Sequence, residues 1–256
     1  MKKHIPNFLT CCNLFFGCIG IIFSFKNSLD IAAYCIGIAA IFDFLDGFVA
    51  RMLKVSSPIG KELDSLADCV TFGVLPAFIL YHLMINASLE QASQNLVEGQ
   101  LPTATVSYLP YIALLIAVFS ALRLAKFNVD TRQSDSFIGV PTPANAILIG
   151  SIPLILLQNP TYSEAILNPI LLSVLAVVMS LLLVAELPLF ALKFKSFGFK
   201  GNEIRYIFIL SSVLLLVFLQ YLGIPLVILL YVLLSIVNNV VSVKTTDGSK
   251  KMIEKE

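Results

Sequence analysis

The chain alternates between long apolar runs and short polar breaks. Eight runs stand out, at about 8–25, 31–53, 64–85, 108–128, 144–157, 166–184, 205–221 and 224–241. The hydrocarbon core of a bilayer is about 30 Å thick and a helix rises about 1.5 Å per residue, so about 20 apolar residues reach across it. Lipid offers the backbone no hydrogen bonds, which makes each run a helix. The run at 144–157 is the shortest, and the last two are divided only by the turn signal Leu222-Gly223-Ile224-Pro225. The pattern predicts an all-α, polytopic transmembrane helical bundle of about eight spans.

Composition supports this and excludes a water-soluble domain. The chain is 58% hydrophobic and 13% charged, where soluble domains carry about 25% charged residues. The net charge of +1 singles out no partner, and nothing in the charge pattern points to nucleic acid. The distribution of charge says more. Counting from an inner N-terminus, the inner segments are 1–7, 54–63, 129–143, 185–204 and 242–256. Of the 17 Lys and Arg residues, all but Lys26 lie in or beside them. The loop 86–107 holds Glu90 and Glu98 and no basic residue. By the positive-inside rule both termini face the cytoplasm of a cell inner membrane. The chain then divides into one membrane domain, 1–243, and a charged, frayed cytoplasmic tail, 244–256. Lys193, Lys195, Lys200 and Arg205 read as anchors for anionic headgroups. The five cysteines sit in apolar runs without metal-ligand spacing and read as small packing residues.

Ionisable residues inside a membrane are costly and mark function. The second run carries Asp43 and Asp46, and Asp43 lies about 15 Å from the helix exit near Leu53. Asp64 and Asp68 open the third run, after the turn Ser56-Ser57-Pro58-Ile59-Gly60. The first pair is spaced i, i+3 and the second i, i+4, so each shares one helix face. A short turn makes the two helices antiparallel neighbours, and the four carboxylates converge at the inner membrane boundary. Like charges so close need either protonation or bound cations. Hard divalent ions, Mg²⁺ or Mn²⁺, suit carboxylate oxygens, and two such ions suit transfer of a phosphoryl group. Gly47 and Ala50 each stand one turn beyond an aspartate and leave a groove for a ligand. Arg51 supplies a cation that can pair with phosphate. Singly, these features have ordinary readings, as helix packing or as a topological anchor. A cation-coupled transporter also carries buried carboxylates, but it needs neither the small residues nor the arginine at these spacings, and no half-chain repeat is visible.

Asp43-Phe-Leu-Asp46-Gly47-Phe-Val-Ala50-Arg51, followed after eight residues by Gly60-Lys-Glu-Leu-Asp64-Ser-Leu-Ala-Asp68, resembles the signature of the CDP-alcohol phosphatidyltransferase family at every defined position. The resemblance implies a two-metal site. Asp43 and Asp64 would contact both ions, Asp46 one and Asp68 the other, with Asp68 also the general base. Gly47, Ala50, Arg51 and Ser57 would meet the CDP-linked donor. Pro6-Asn7-Phe8-Leu9-Thr10 resembles the family's Asn-x-x-Thr element beside the nucleotide, which adds Asn7 and Thr10. The family also implies a homodimer.

The acceptor is a separate question. Ser120-Ala-Leu-Arg123-Leu-Ala-Lys126-Phe-Asn128, then Phe137-Ile-Gly139-Val-Pro141-Thr142-Pro143, resemble the branch of that family that transfers to L-serine from CDP-diacylglycerol. Lys126 replaces the branch's usual arginine, keeping the charge but losing the guanidinium fork. Arg123, Lys126 and Asn128 are the candidate serine-binding residues, at a helix end level with the acidic cluster. A basic acceptor pocket would also suit glycerol 3-phosphate, and plain positive-inside anchoring would place the same two cations there.

Overall fold

The computed structural model describes residues 4–97, 108–130, 137–189, 198 and 202–253. Glu98, Lys193, Lys195 and Lys200 lie outside the described residues. Among those described, the chain is helical apart from two short strands.

Helix α1 (His4–Phe25) is turned inside out relative to a helix in water. Its buried stripe is Pro6, Thr10, Asn13, Gly17, Gly20 and Ser24, while Phe8, Phe15, Ile22 and Phe25 are exposed. Lipid is as apolar as phenylalanine, so helices associate through small residues and interhelical hydrogen bonds instead. Helix α2 (Leu29–Leu53) returns alongside after a turn in which Asn27 adopts φ 57. Phe16 stacks on Phe42 at 5.5 Å between centroids.

The turn into the third helix is closely specified. Lys54 takes a left-handed φ of 52, and its N–H donates to the carbonyls of Ala50 and Arg51. Ser57 then caps helix α3 (Pro58–Asp68), accepting from the Gly60 N–H at 3.0 Å, with Pro58 at the first helical position. A π-helical turn, Cys69–Val74, follows Asp68 directly and leads into α4 (Leu75–Val97). The π turn and this long helix supply the centre of the core, with Phe72 from the first and Leu75, Ile79 and Leu80 from the second fully buried.

A 3₁₀ turn (Leu109–Leu114) precedes α5 (Leu115–Val129). Strand β1 (Phe137–Ile138), α6 (Thr142–Gln158) and α7 (Ser163–Ile166) follow. Next come α8 (Pro169–Val184), β2 (Pro188–Leu189), α9 (Glu203–Leu219) and α10 (Gly223–Ile253). The backbone thus stays helical well beyond residue 243, where the sequence predicts a frayed tail. β1 and β2 pair antiparallel, Phe137 against Leu189 and Ile138 against Pro188.

Five segments are long and apolar enough to cross a membrane, or six counting α8 with the short helices before it, bent from it by 74°. The fifth, Glu203–Asn239, folds back on itself at Gln220, where φ is 50 and ψ −121. The rings of Phe208 and Tyr231 meet across this hairpin at 5.5 Å, although a straight helix would hold them tens of ångströms apart. α6, with Pro153 inside it, is apolar but only 17 residues long. The protein is an all-α, multi-pass membrane protein.

Side-chain bonds tie the helix ends into two layers. At one end Lys61 Nζ donates to the carbonyl of Asn128 at 3.1 Å, and the Asn239 amide donates to the carbonyl of Pro188 at 2.6 Å. At the other, the Asn86 amide meets Asn27 at 3.0 Å, and Glu90, Glu164 and Asn168 line one small cavity.

Candidate active site

Asp43 on α2 and Asp64 and Asp68 on α3 each offer a carboxylate oxygen, all within 4.8 Å of one another. Two antiparallel helices joined by the tight Lys54–Ser57 turn bring them there. All three are partly buried. Asp46 is more deeply buried and falls outside this trio. It accepts a hydrogen bond of 2.6 Å from Thr10 Oγ1, which couples α2 to α1. Three carboxylates converging in a low-dielectric site repel one another, and hard cations are the ligands that remove the cost. The donor set is all oxygen, with no thiol or imidazole in the cluster, and it fits Mg²⁺ or Mn²⁺.

Beside the trio lies a cavity of about 260 Å³. Asn7, Thr10, Gly47, Ala50 and Ser57, five residues that the signature set aside for the donor, all line it, together with Asp46 and Asp64. Gly47 and Gly60 keep it open. A Cβ at Gly60 would stand 2.9 Å from Ser57 Oγ and 3.0 Å from Asn7 Oδ1, and one at Gly47 would stand 3.3 Å from Arg51 Nη1. The Arg51 guanidinium therefore lies over Gly47, on the exposed side of the groove.

Asn13 is a residue that sequence reasoning missed. It is fully buried, and its amide donates to Asp68 Oδ1 at 3.1 Å. Its own carbonyl accepts from Thr71 Oγ1 at 3.3 Å, which ties α1 to the π turn beneath Asp68. The available signal was spacing, since Asn13 stands one turn beyond Thr10 on the stripe that begins at Pro6. π turns inside α-helices often occur at functional sites, and this one directly follows Asp68.

The predicted acceptor residues are not all in one place. Arg123 is only 8% exposed, and its guanidinium carbon lies 5.9 Å from the Phe127 ring centroid. Its Nε has no hydrogen-bond partner among the described residues. Arg123 and Lys126 line a second, smaller cavity with Asp130 and Glu186. Asn128 points elsewhere, donating to Ser65 Oγ at 2.8 Å, and so fixes the end of α5 against α3.

These features define a class: an integral membrane protein with a carboxylate cluster at a helix hairpin, opening on a groove of small and polar residues. The model of the CDP-alcohol phosphatidyltransferase family matches residues 3–192, and the chain belongs to that family. It is similar to a CDP-diacylglycerol–serine O-phosphatidyltransferase of Helicobacter pylori, 36% identical over 146 residues, 56% of this chain and 54% of the relative. The namesake of Bacillus subtilis is 31% identical over 189 residues, 72% of this chain and 89% of the relative. An archaetidylserine synthase of Methanothermobacter thermautotrophicus is 33% identical over 150 residues, 57% of this chain and 56% of the relative. The chain spans about half the length of the Helicobacter and mycobacterial relatives it matches.

Proposed function

We propose that this protein transfers the phosphatidyl group of CDP-diacylglycerol to the hydroxyl of L-serine, giving phosphatidylserine and CMP. The observation that carries this reading is the Asp43–Asp64–Asp68 trio, within 4.8 Å, beside a groove lined by the donor residues of the signature. The serine-specific names of the relatives support the acceptor.

The four aspartates would hold two divalent ions, Mg²⁺ or Mn²⁺, which supply electrostatic stabilisation for a phosphoryl group in transfer. The chain's own residues do the rest. Asn7, Thr10, Ser57 and the open backbone at Gly47 and Ala50 seat the CDP portion, and Arg51 pairs with its phosphates. Asp68, oriented by the Asn13 amide, takes the proton of the serine hydroxyl. The serine oxygen forms a bond to the phosphorus that carries diacylglycerol, and the phosphoanhydride bond to CMP breaks. Arg123 and Lys126 bind the serine carboxylate, while Asn128 holds their helix end beside Ser65. Most of the rate comes from positioning and preorganised charge.

We further read the chain as eight crossings with both termini and the site on the cytoplasmic face of a cell inner membrane, acting as a homodimer. The α9–α10 hairpin supports the count. The layer that holds the Lys61–Asn128 and Pro188–Asn239 bonds supports a common side for the site and the Asn239 turn of α10. Purified protein should release CMP from CDP-diacylglycerol when given serine, in a panel with glycerol 3-phosphate, inositol, inositol phosphate and choline. CMP release with any other acceptor and none with serine would overturn the serine assignment.

A further inference from the structure

We infer that Glu186 is a specificity residue that binds the acceptor's ammonium group, so that the small cavity at the ends of α5 and α8 recognises a zwitterion. The inference rests on the proposed serine acceptor. An amino acid carries a carboxylate and an ammonium on one carbon, so a site built for it must present both signs of charge within a few ångströms. The cavity does so. Arg123 and Lys126 line it on the α5 side, and Glu186 lines it from the end of α8, with Asp130 also at its rim.

A second, independent feature marks the cavity as a ligand site. Arg123 is nine-tenths buried and lines it, with Nε lacking a hydrogen-bond partner among the described residues. Buried N–H groups are nearly always satisfied, and an orphan one calls for a ligand or a functional reason. A carboxylate answers a guanidinium in both charge and geometry.

Glu186 does not reach this place by accident of a loop. Strands β1 and β2 pair across the ends of α5 and α8. Gly139 N–H donates to the carbonyl of Leu187 at 3.0 Å, and Val140 N–H to that of Leu182 at 3.0 Å. Gly139 adopts φ 76, and a Cβ there would stand 2.5 Å from the Leu183 carbonyl oxygen. The Phe137–Pro141 segment is thus a clasp on the end of α8, and Glu186 lies within the clasped turn, between Leu182 and Leu187. The cavity is small, about 40 Å³, room for only a few water molecules. It disfavours a ring polyol by size, and its carboxylates disfavour phosphorylated acceptors by repulsion.

The test compares serine with two probes that each lack one charge: 3-hydroxypropanoate, without the ammonium, and ethanolamine, without the carboxylate. Each is assayed as acceptor by CMP release and as competitor of serine, with CDP-diacylglycerol as donor, in wild type, Glu186→Gln, Glu186→Asp and Asp130→Asn. Glu186→Gln should raise the serine KM by about tenfold or more. The donor KM should hold, and binding of 3-hydroxypropanoate should be unchanged or tighter. Glu186→Asp should recover part of the loss, and Asp130→Asn should have the smaller effect. The donor KM also shows that the variants are folded. An unchanged serine KM in Glu186→Gln, or equal weakening of serine and 3-hydroxypropanoate, overturns the ammonium role while leaving the serine reaction intact. Absence of serine-dependent CMP release from wild type overturns the acceptor itself.

Discussion

The acidic trio and the mixed-charge cavity serve one proposed reaction and are built in opposite ways. The trio comes from two consecutive helices and the tight turn between them, so few residues separate its members in the chain. The cavity joins the end of α5 to the end of α8, segments far apart in sequence and held together by a two-residue strand pair and one positive-φ glycine. The acidic site depends on helix faces and is local. The mixed-charge cavity depends on long-range backbone docking. In the proposed reaction the chemistry common to the family would sit on the first kind of construction. Choice of acceptor would sit on the second, where a change in one loop end alters the lining without touching the aspartates.

The largest effects should fall on the acidic side. Exhaustive chelation should abolish CMP release, with recovery on adding Mg²⁺ or Mn²⁺. Asp64→Asn should reduce turnover to below about a thousandth and weaken donor binding with it, as measured by calorimetry. Donor affinity unchanged in Asp64→Asn would break the assignment of that carboxylate to the donor-bound ions.

Asp68→Asn separates two roles at one position. The amide keeps one ligating oxygen but accepts no proton. Turnover should fall by about 10²–10⁴, with donor binding held within about tenfold. Near-normal turnover would move the base to another group, and complete loss of donor binding would make Asp68 chiefly a ligand.

At the mixed-charge cavity the effects should be smaller and confined to the acceptor. Arg123→Ala loses a charge-assisted bond of about 1.5–3 kcal/mol. It should raise the KM for serine while sparing that for CDP-diacylglycerol. A serine KM equal to wild type would return Arg123 to the role of membrane anchor.

Smallest is Gly139→Ala, which touches no substrate. Its methyl would crowd the Leu183 carbonyl at a backbone angle that side chains avoid, at a cost of about 1–3 kcal/mol. It should lower the melting temperature in detergent modestly and raise the serine KM more than the donor KM. Equal loss of both would show that the clasp supports the whole bundle rather than the acceptor end.

The same contrast explains what was legible in the sequence. Helix content followed from hydropathy, and the aspartates from spacing, because both are properties of contiguous chain. Asp46 shows the limit. Its spacing places it on the Asp43 face, yet it bonds to Thr10 and leaves the trio. Asn128 looked like part of a basic acceptor run, but its amide is used to join two helices. Asn13 was hidden because a single asparagine in an apolar run does not reveal which helix it will face. Glu186 stands far from Arg123 and Lys126 in the sequence, and the β1–β2 pairing brings it to the same cavity.

The aspartates of α2 also bear on how the protein enters its membrane. A helix inserted alone meets lipid on every side, and each aspartate near its centre costs about 2.5–3.5 kcal/mol. Asp43 and Asp46 would together penalise α2 by about 5 kcal/mol or more as a solitary insert. In the folded protein Asp46 is met by the Thr10 hydroxyl from the helix made just before it. α2 is therefore predicted to leave the translocon together with α1, or to wait there for α3. Glycosylation mapping of nascent chains ending after α2 should show poorer insertion of α2 when α1 is replaced by an unrelated apolar helix. Equal insertion with either leader would mean that α2 enters unaided, and that the bond to Thr10 is made only later.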